Sequence, residues 1–256
     1  MKWWIPPALA LQFLTRVPVP ALNSVHADIV KIGLAKSVIW FSVIGGIVGA
    51  FTASILIAAD HLWPRIIAVF VGLIVEARLT GAFHEDAVAD FCDGFGGGMT
   101  PQRIHEIMKD SRIGSYGALG MGLAVALRAA LLIALPNPLI FPALIASASF
   151  GRYTAVTLMA ITPPLIQIGG LGKDIGAQVR LTQWGIASVL TLPFIALFAI
   201  AMPIPLLIAV AATLIFTVWF RKFVLQNLGG ITGDCLGFGV YAGQLFVLLA
   251  ANINFS

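Results

Sequence analysis

Residues 37–59 read SVIWFSVIGGIVGAFTASILIAA, a run with no charged side chain. At 1.5 Å of rise per residue, an α-helix of this length covers the roughly 30 Å hydrocarbon core of a bilayer. The pattern recurs along the chain. Residues 62–79 form a second candidate, with Pro64 and Arg65 near its start and Glu76 and Arg78 near its end. Residues 116–135 enclose Arg128 and residues 139–161 enclose Arg152, and 184–202, 205–220 and 236–251 complete the set. That is about seven transmembrane helices, and because the last two runs are short the range is six to eight. With 59% hydrophobic and only 10% charged residues over 256 positions, an ordinary soluble domain is excluded. The expectation is an all-α polytopic integral membrane protein, a single domain over 1–256.

The segment 1–36 begins MKWWIPPALALQFLTRVPVP. Gln12, Thr15 and Arg16 interrupt its apolar run and no small-residue cleavage site follows, so it reads as an interfacial helix with Trp3 and Trp4 at headgroup level. Basic residues give the orientation. Lys2, Arg16, Lys31 and Lys36 precede the first span, Arg78, Arg103, Lys109 and Arg112 lie between the second and third, and Lys173, Arg180, Arg221 and Lys222 occupy later loops of the same side. The opposite loops hold Arg65. The positive-inside rule then predicts a cytoplasmic N-terminus and, with seven spans, an external C-terminus. Every acid except Asp60 falls at or near the cytoplasmic side, which places the chemistry there. The net charge of +4 is this topological bias and not a nucleic-acid footprint. Cys92 and Cys235 are isolated, and read as packing residues.

The acids are concentrated in FHEDAVADFCDG, residues 83–94. If this stretch is helical, Asp86, Asp90 and Asp93 fall at i, i+4 and i+7, within an arc of about 60°, with Ala87, Val88 and Phe91 on the other side. Three carboxylates on one face repel one another unless a cation neutralises them, and hard oxygen ligands suit Mg²⁺ or Mn²⁺. The alternative is a solvated charged face. The neighbourhood favours the metal. Gly94, Gly96, Gly97 and Gly98 follow, a flexible backbone that a phosphate can approach closely. IMKDSRIGSYG, residues 107–117, supplies Lys109, Ser111 and Arg112 as phosphate donors and Asp110 as a further hard ligand. GGITGDCLG, residues 229–237, resembles a tight turn opening a helix, with Thr232 at the N-cap and Asp234 in the first turn. Each segment also has a structural reading: Asp110 can pair with Arg112, and the 229–237 glycines can serve close helix packing, as Gly45 and Gly49 do. An arginine inside a span is costly unless it snorkels or faces a polar interior. Snorkelling suits Arg128 better than Arg152.

HEDAVADFCDG at 84–94 resembles the His-x-Asp-Gly-x-Ala-Asp-x-x-Asp-Gly signature of the adenosylcobinamide-GDP ribazoletransferase, or cobalamin (5′-phosphate) synthase, family. IMKDSRIGSYG and GGITGDCLG resemble two further signatures of that family in the same order, and LTRVPVP at 14–20 resembles its N-terminal motif. Ala87 stands where the family usually has Gly. The resemblance implies a multi-pass enzyme of the bacterial cytoplasmic (inner) membrane that acts in the final stage of cobalamin biosynthesis. Its substrates are adenosylcobinamide-GDP and α-ribazole or α-ribazole 5′-phosphate, its setting is membrane lipid, it takes no nucleic acid, and a homo-oligomer fits it equally. A ribazole hydroxyl attacks the phosphate next to the cobinamide aminopropanol and GMP leaves, an in-line displacement suited to Mg²⁺, carboxylates and cationic side chains.

On this reading the catalytic segment is 80–115 on the cytoplasmic side. Asp86, Asp90, Asp93, His84 and Asp234 are catalytic, the general base being an aspartate or His84. Asp86, Asp90, Asp93, Glu85 and Asp110 hold the metal, and Lys109, Arg112, Ser111, Gly96, Gly97 and Thr232 receive substrate phosphates. Two rivals fit less well. A CDP-alcohol phosphotransferase requires Asp-Gly-x-x-Ala-Arg followed by spaced aspartates, which 86–94 does not supply. A cation-coupled transporter is expected to carry its acids at midplane.

Overall fold

The structure is a computed structural model and describes residues 2–165 and 179–254. Lys173, one of the basic residues used for orientation, lies outside the described residues. Among those described, the regular secondary structure is all helical, with a single isolated bridge between Pro164 and Ile231.

Helix α1 (Ile5–Leu14) opens on prolines in its first turn, where the missing N–H costs nothing. With α2 (Ala27–Ser37) and a 3₁₀ turn at Pro20–Ser24 it forms the N-terminal segment, where Ile5, Leu9 and Leu22 are buried together and Trp3 is 85% exposed. A second 3₁₀ turn joins α2 to α3 (Phe41–Asp60). Helices α4 (Arg65–Thr80) and α5 (Phe83–Gly97) are set 87° apart. Beyond them come α6 (Pro101–Met108), α7 (Ser115–Ala134), α8 (Asn137–Ile161), α9 (Leu181–Ala201), α10 (Pro203–Leu228) and α11 (Gly233–Ala251). Among the described residues, six stretches are long and apolar enough to cross a membrane: the α2–α3 run, α7, α8, α9, α10 and α11. The bent α4–α5 pair makes a seventh if it counts as one crossing. This agrees with the six to eight expected, and the protein is a multi-pass membrane protein.

The two runs judged short are in fact longer helices. α10 continues through Arg221 and Lys222 to a left-handed Gly229 (φ 78°), and α11 begins three residues before the apolar run, at Gly233, with the Thr232 hydroxyl accepting from the Cys235 N–H.

Helix α8 is the hub, packed on α3, α9 and α11. Small residues allow the close approach. A β-carbon added to Gly45 or Gly49 would come within 2.5 Å of a backbone oxygen of α8, and one at Gly151 within 2.6 Å of the Val240 carbonyl on α11. By contrast α9 and α10 turn Ile200, Leu207 and Ile215 outward, each more than two-thirds exposed.

The α4–α5 corner positions the acidic helix. It is made by Gly81 (φ 73°) and Ala82 (φ 53°), two successive left-handed residues, the second of which costs about 1–2 kcal/mol for lack of glycine's freedom. The N-terminal motif holds it. The Arg16 N–H donates to the Leu79 carbonyl at 2.7 Å, and the Arg16 guanidinium lies where a β-carbon of Gly81 would stand.

At the far end of the bundle Arg65 binds the Asp60 carboxylate through Nε and Nη2 at 2.9 Å, the Leu135 carbonyl at 3.0 Å, and Asn137. Arg128 does not snorkel. It is 2% exposed and is held inside the bundle by Glu76, because a carboxylate on α4 faces it.

Candidate active site

The expected helix exists, and its apolar side fixes its rotation. Phe91 stacks on Phe238 of α11 with ring centroids 4.0 Å apart, and Ala87 occupies the space that Gly237 leaves. Ala87, the departure from the signature, is thus a packing residue against α11. With that side buried, Asp86 is exposed and Asp90 half-buried, beside the first turn of α11 where Asp234 sits. Asp90 lies outside the six long spans. Burial, then Asp86, Asp234 and Asp93 in that order, push its carboxyl up to about 7, while Lys109 opposes them. Lys109 also faces Asp234. The acidic face, the start of α11 and the loop after α6 therefore meet in one place.

Asp93 differs from its helix mates. Its Oδ2 accepts from the Gly114 N–H at 2.7 Å and its Oδ1 from the Gly117 N–H at 2.8 Å, and it is 7% exposed. Those are the N-cap and third N–H of α7, which its own sequence gives no side-chain cap.

Beside Asp93 opens a cleft of about 360 Å³ lined by Gly97, Asp110, Arg112, Ser115 and Tyr116 among others. Arg112 donates to Asp110 from Nε (3.0 and 3.2 Å) and Nη2 (2.6 Å). This fork, with the Arg112 N–H at 3.1 Å, holds the Asp110 carboxyl down at about 2. The Arg112 side chain remains 87% exposed, so it can still meet an anion. Ser111 is exposed beside it.

The expected flexible glycine backbone is not there. Gly94, Gly96 and Gly97 belong to α5 and Gly98 is its extended C-cap. Their small size serves packing: a β-carbon at Gly94 would meet Met108 at 2.5 Å, and one at Gly96 the Tyr116 ring at 2.6 Å. Two further expected site residues are placed elsewhere. Glu85 turns inward, with Oε1 3.7 Å from Arg128 Nη1. His84 is 3% exposed, beside Arg152 and Arg128. Being one or two positions from Asp86, they point a quarter-turn or more away from it.

His105 and Tyr116, near the site, gave no strong signal in the sequence, whereas Arg152 was marked there as an arginine inside a span. His105, on α6, lies near Lys109 and Asp234; burial, then Lys109, lower its pKa. Its spacing of four from Lys109 is the one clue. Tyr116 lines the cleft. Arg152 is 1% exposed, and apart from a bond from Nη1 to the Ala148 carbonyl its nitrogens have no partner.

Asp86, Asp90 and Asp234 are thus the open hard donors for a divalent cation. As they stand, no three His, Cys, Asp or Glu side chains among the described residues are close enough to enclose one. The exposed Asp86 and half-buried Asp90 and Asp234 have room to rotate, and their crowding favours a cation between them.

Comparison with known proteins gives the affiliation. The cobalamin-5-phosphate synthase family profile matches residues 7–252. A protein of Leptothrix cholodnii named adenosylcobinamide-GDP ribazoletransferase is 36% identical over 96% of this chain and 92% of its own. Proteins of the same name from Ralstonia pickettii and Vibrio cholerae serotype O1 are 34% and 32% identical, each over 94% of this chain and at least 90% of theirs. No solved structure matches. Matched over nearly its whole length, with all four of its motifs gathered around one acidic helix or its supports, this chain belongs to the cobalamin-5-phosphate synthase family.

Proposed function

We infer that the protein catalyses the reaction for which its relatives are named, transfer of the cobinamide phosphate of adenosylcobinamide-GDP to α-ribazole or its 5′-phosphate, the final stage of cobalamin biosynthesis. The ribazole hydroxyl oxygen bonds to the phosphorus that carries the aminopropanol, the bond from that phosphorus to the GMP oxygen breaks, and the hydroxyl proton is released. The observation that carries the site is the meeting of Asp86, Asp90, Asp234 and Lys109 next to the Arg112 cleft.

On this reading Asp86, Asp90 and Asp234 hold Mg²⁺, with Mn²⁺ an acceptable substitute. The bound ion supplies charge neutralisation at the reacting diphosphate. Arg112, its guanidinium held by Asp110 at the cleft, receives phosphate oxygens there, and Lys109 counters the carboxylates and the leaving group. The same crowding that pushes the Asp90 carboxyl up would be relieved by a cation among these carboxylates, leaving Asp90 ionised as a ligand. The basic residues flanking these segments support a site that faces the cytoplasm, and the bacterial relatives support the inner membrane as its setting.

The test is purified protein in liposomes with adenosylcobinamide-GDP, α-ribazole and Mg²⁺, scored for GMP and cobalamin. Product is expected with the wild type, is lost on chelation, and falls by orders of magnitude in Asp86→Asn and Asp90→Asn. Wild-type rates in both variants at limiting Mg²⁺ would remove these residues from the site.

A further inference from the structure

The aspartates of the acidic helix are equivalent in a helical projection but not in their surroundings. Asp86 is exposed and Asp90 half-buried, whereas both oxygens of Asp93 receive backbone N–H groups from α7 at 2.7 and 2.8 Å. On the side of α7 the packing around it is tight, while its other side borders the cleft. β-Carbons added to Gly114 and Gly117 would stand 2.4 and 2.2 Å from its two oxygens. A cation at this carboxylate would have to compete with two backbone N–H donors for both of its oxygens, which Asp86 and Asp90 do not require.

We propose that Asp93 is a positioning residue and not a metal ligand: it caps α7 from another helix and thereby sets the 109–114 segment, with Lys109 and Arg112, at its working distance from the acidic face. The proposal rests on the reaction inferred above. An α-helix leaves its first four N–H groups unsatisfied. Here Gly114, at the N-cap, has no side chain to satisfy them, and a carboxylate from α5 accepts two. The same contact ties the end of the acidic helix to the segment that begins just after α6. Tyr116, over Gly96, closes the junction from the other side. Removing the charge of Asp93 therefore loosens the substrate-binding arm while leaving the open carboxylates where they are.

The experiment compares the wild type with Asp93→Asn, Asp86→Asn and Gly117→Ala in detergent. It reads Mn²⁺ affinity by electron paramagnetic resonance, hydrogen exchange of the peptide covering 109–118, and KM for adenosylcobinamide-GDP. Asp93→Asn is expected to leave Mn²⁺ affinity within about twofold of wild type, to speed exchange in 109–118, and to raise KM about tenfold, as loss of a hydrogen bond to a charged group implies. Asp86→Asn is expected to do the reverse, losing Mn²⁺ affinity with exchange unchanged. Gly117→Ala keeps the acid but displaces it from α7, and is expected to reproduce the exchange and KM effects. It also decides the matter if Asp93→Asn does not fold. Loss of Mn²⁺ affinity in Asp93→Asn equal to that in Asp86→Asn, or unchanged exchange in both Asp93→Asn and Gly117→Ala, would overturn the proposal. If the wild type binds no Mn²⁺, the metal reading fails, and exchange and KM still decide the role of Asp93.

Discussion

Arg128 of α7 and Glu76 of α4 meet inside the bundle, with Arg128 Nη2 2.9 and 2.8 Å from the two carboxylate oxygens of Glu76 and both residues at most 4% exposed. Glu85 of α5 approaches the same guanidinium at 3.7 Å, so one arginine links α4, α5 and α7 just past the corner from which the acidic helix departs. Breaking such a pair strands a charge in a low-dielectric interior, whereas removing both partners does not.

Arg128→Met is accordingly expected to destabilise the protein by about 3–5 kcal/mol, because Glu76 is left buried and unpaired. The double variant Glu76→Gln/Arg128→Met should recover much of that loss. Thermal unfolding midpoints in detergent check this, and a double variant no more stable than the single one would show that the ion pair is not the reason for the burial.

The crowding at Asp90 has a pH signature. Its folded pKa, about 7, lies above the ordinary 3.8, so the folded protein holds this proton more tightly than the unfolded chain. The resulting stability is full below the ordinary value and is lost as pH rises through about 7. Without Mg²⁺ the midpoint should fall between pH 6 and pH 8, and Mg²⁺, replacing the proton among the carboxylates, should raise it more at pH 8 than at pH 6. Asp90→Asn should flatten both effects. A Mg²⁺ response equal at the two pH values would contradict this account.

Arg112→Lys keeps the charge but loses the planar fork that Asp110 holds. A charged hydrogen bond contributes about 1.5–3 kcal/mol, so kcat/KM should fall about ten- to hundredfold. Single-turnover GMP release measures it, and a rate like the wild type's would place Arg112 outside substrate recognition.

Orientation is open to a direct test. Reporters fused after Pro138 and at the C-terminus should be external, and reporters near Gly98, Lys173 and Arg221 cytoplasmic. A cytoplasmic reporter after Pro138 would reverse the assignment.

The spans and the acidic helix were legible in the sequence because hydropathy and helical spacing are local properties. The run 37–59 needs no partner to be recognised as apolar, and three aspartates at i, i+4 and i+7 share a face wherever the helix lies. The four motifs likewise carried the family. What surrounds each direction of a helix is decided by residues far along the chain. Glu76 and Arg128 are 52 positions apart, and neither reveals the other, so Arg128 was expected at the membrane edge. Gly96 looked like freedom for a phosphate until Tyr116 proved to lie over it. Asp93 sat beside Asp90 in spacing, yet the bare N-terminus of α7, more than twenty residues on, takes both its oxygens. A helical projection fixes where a side chain points relative to its own axis, and only packing determines whether it meets solvent, a cation or another helix's unpaired amides.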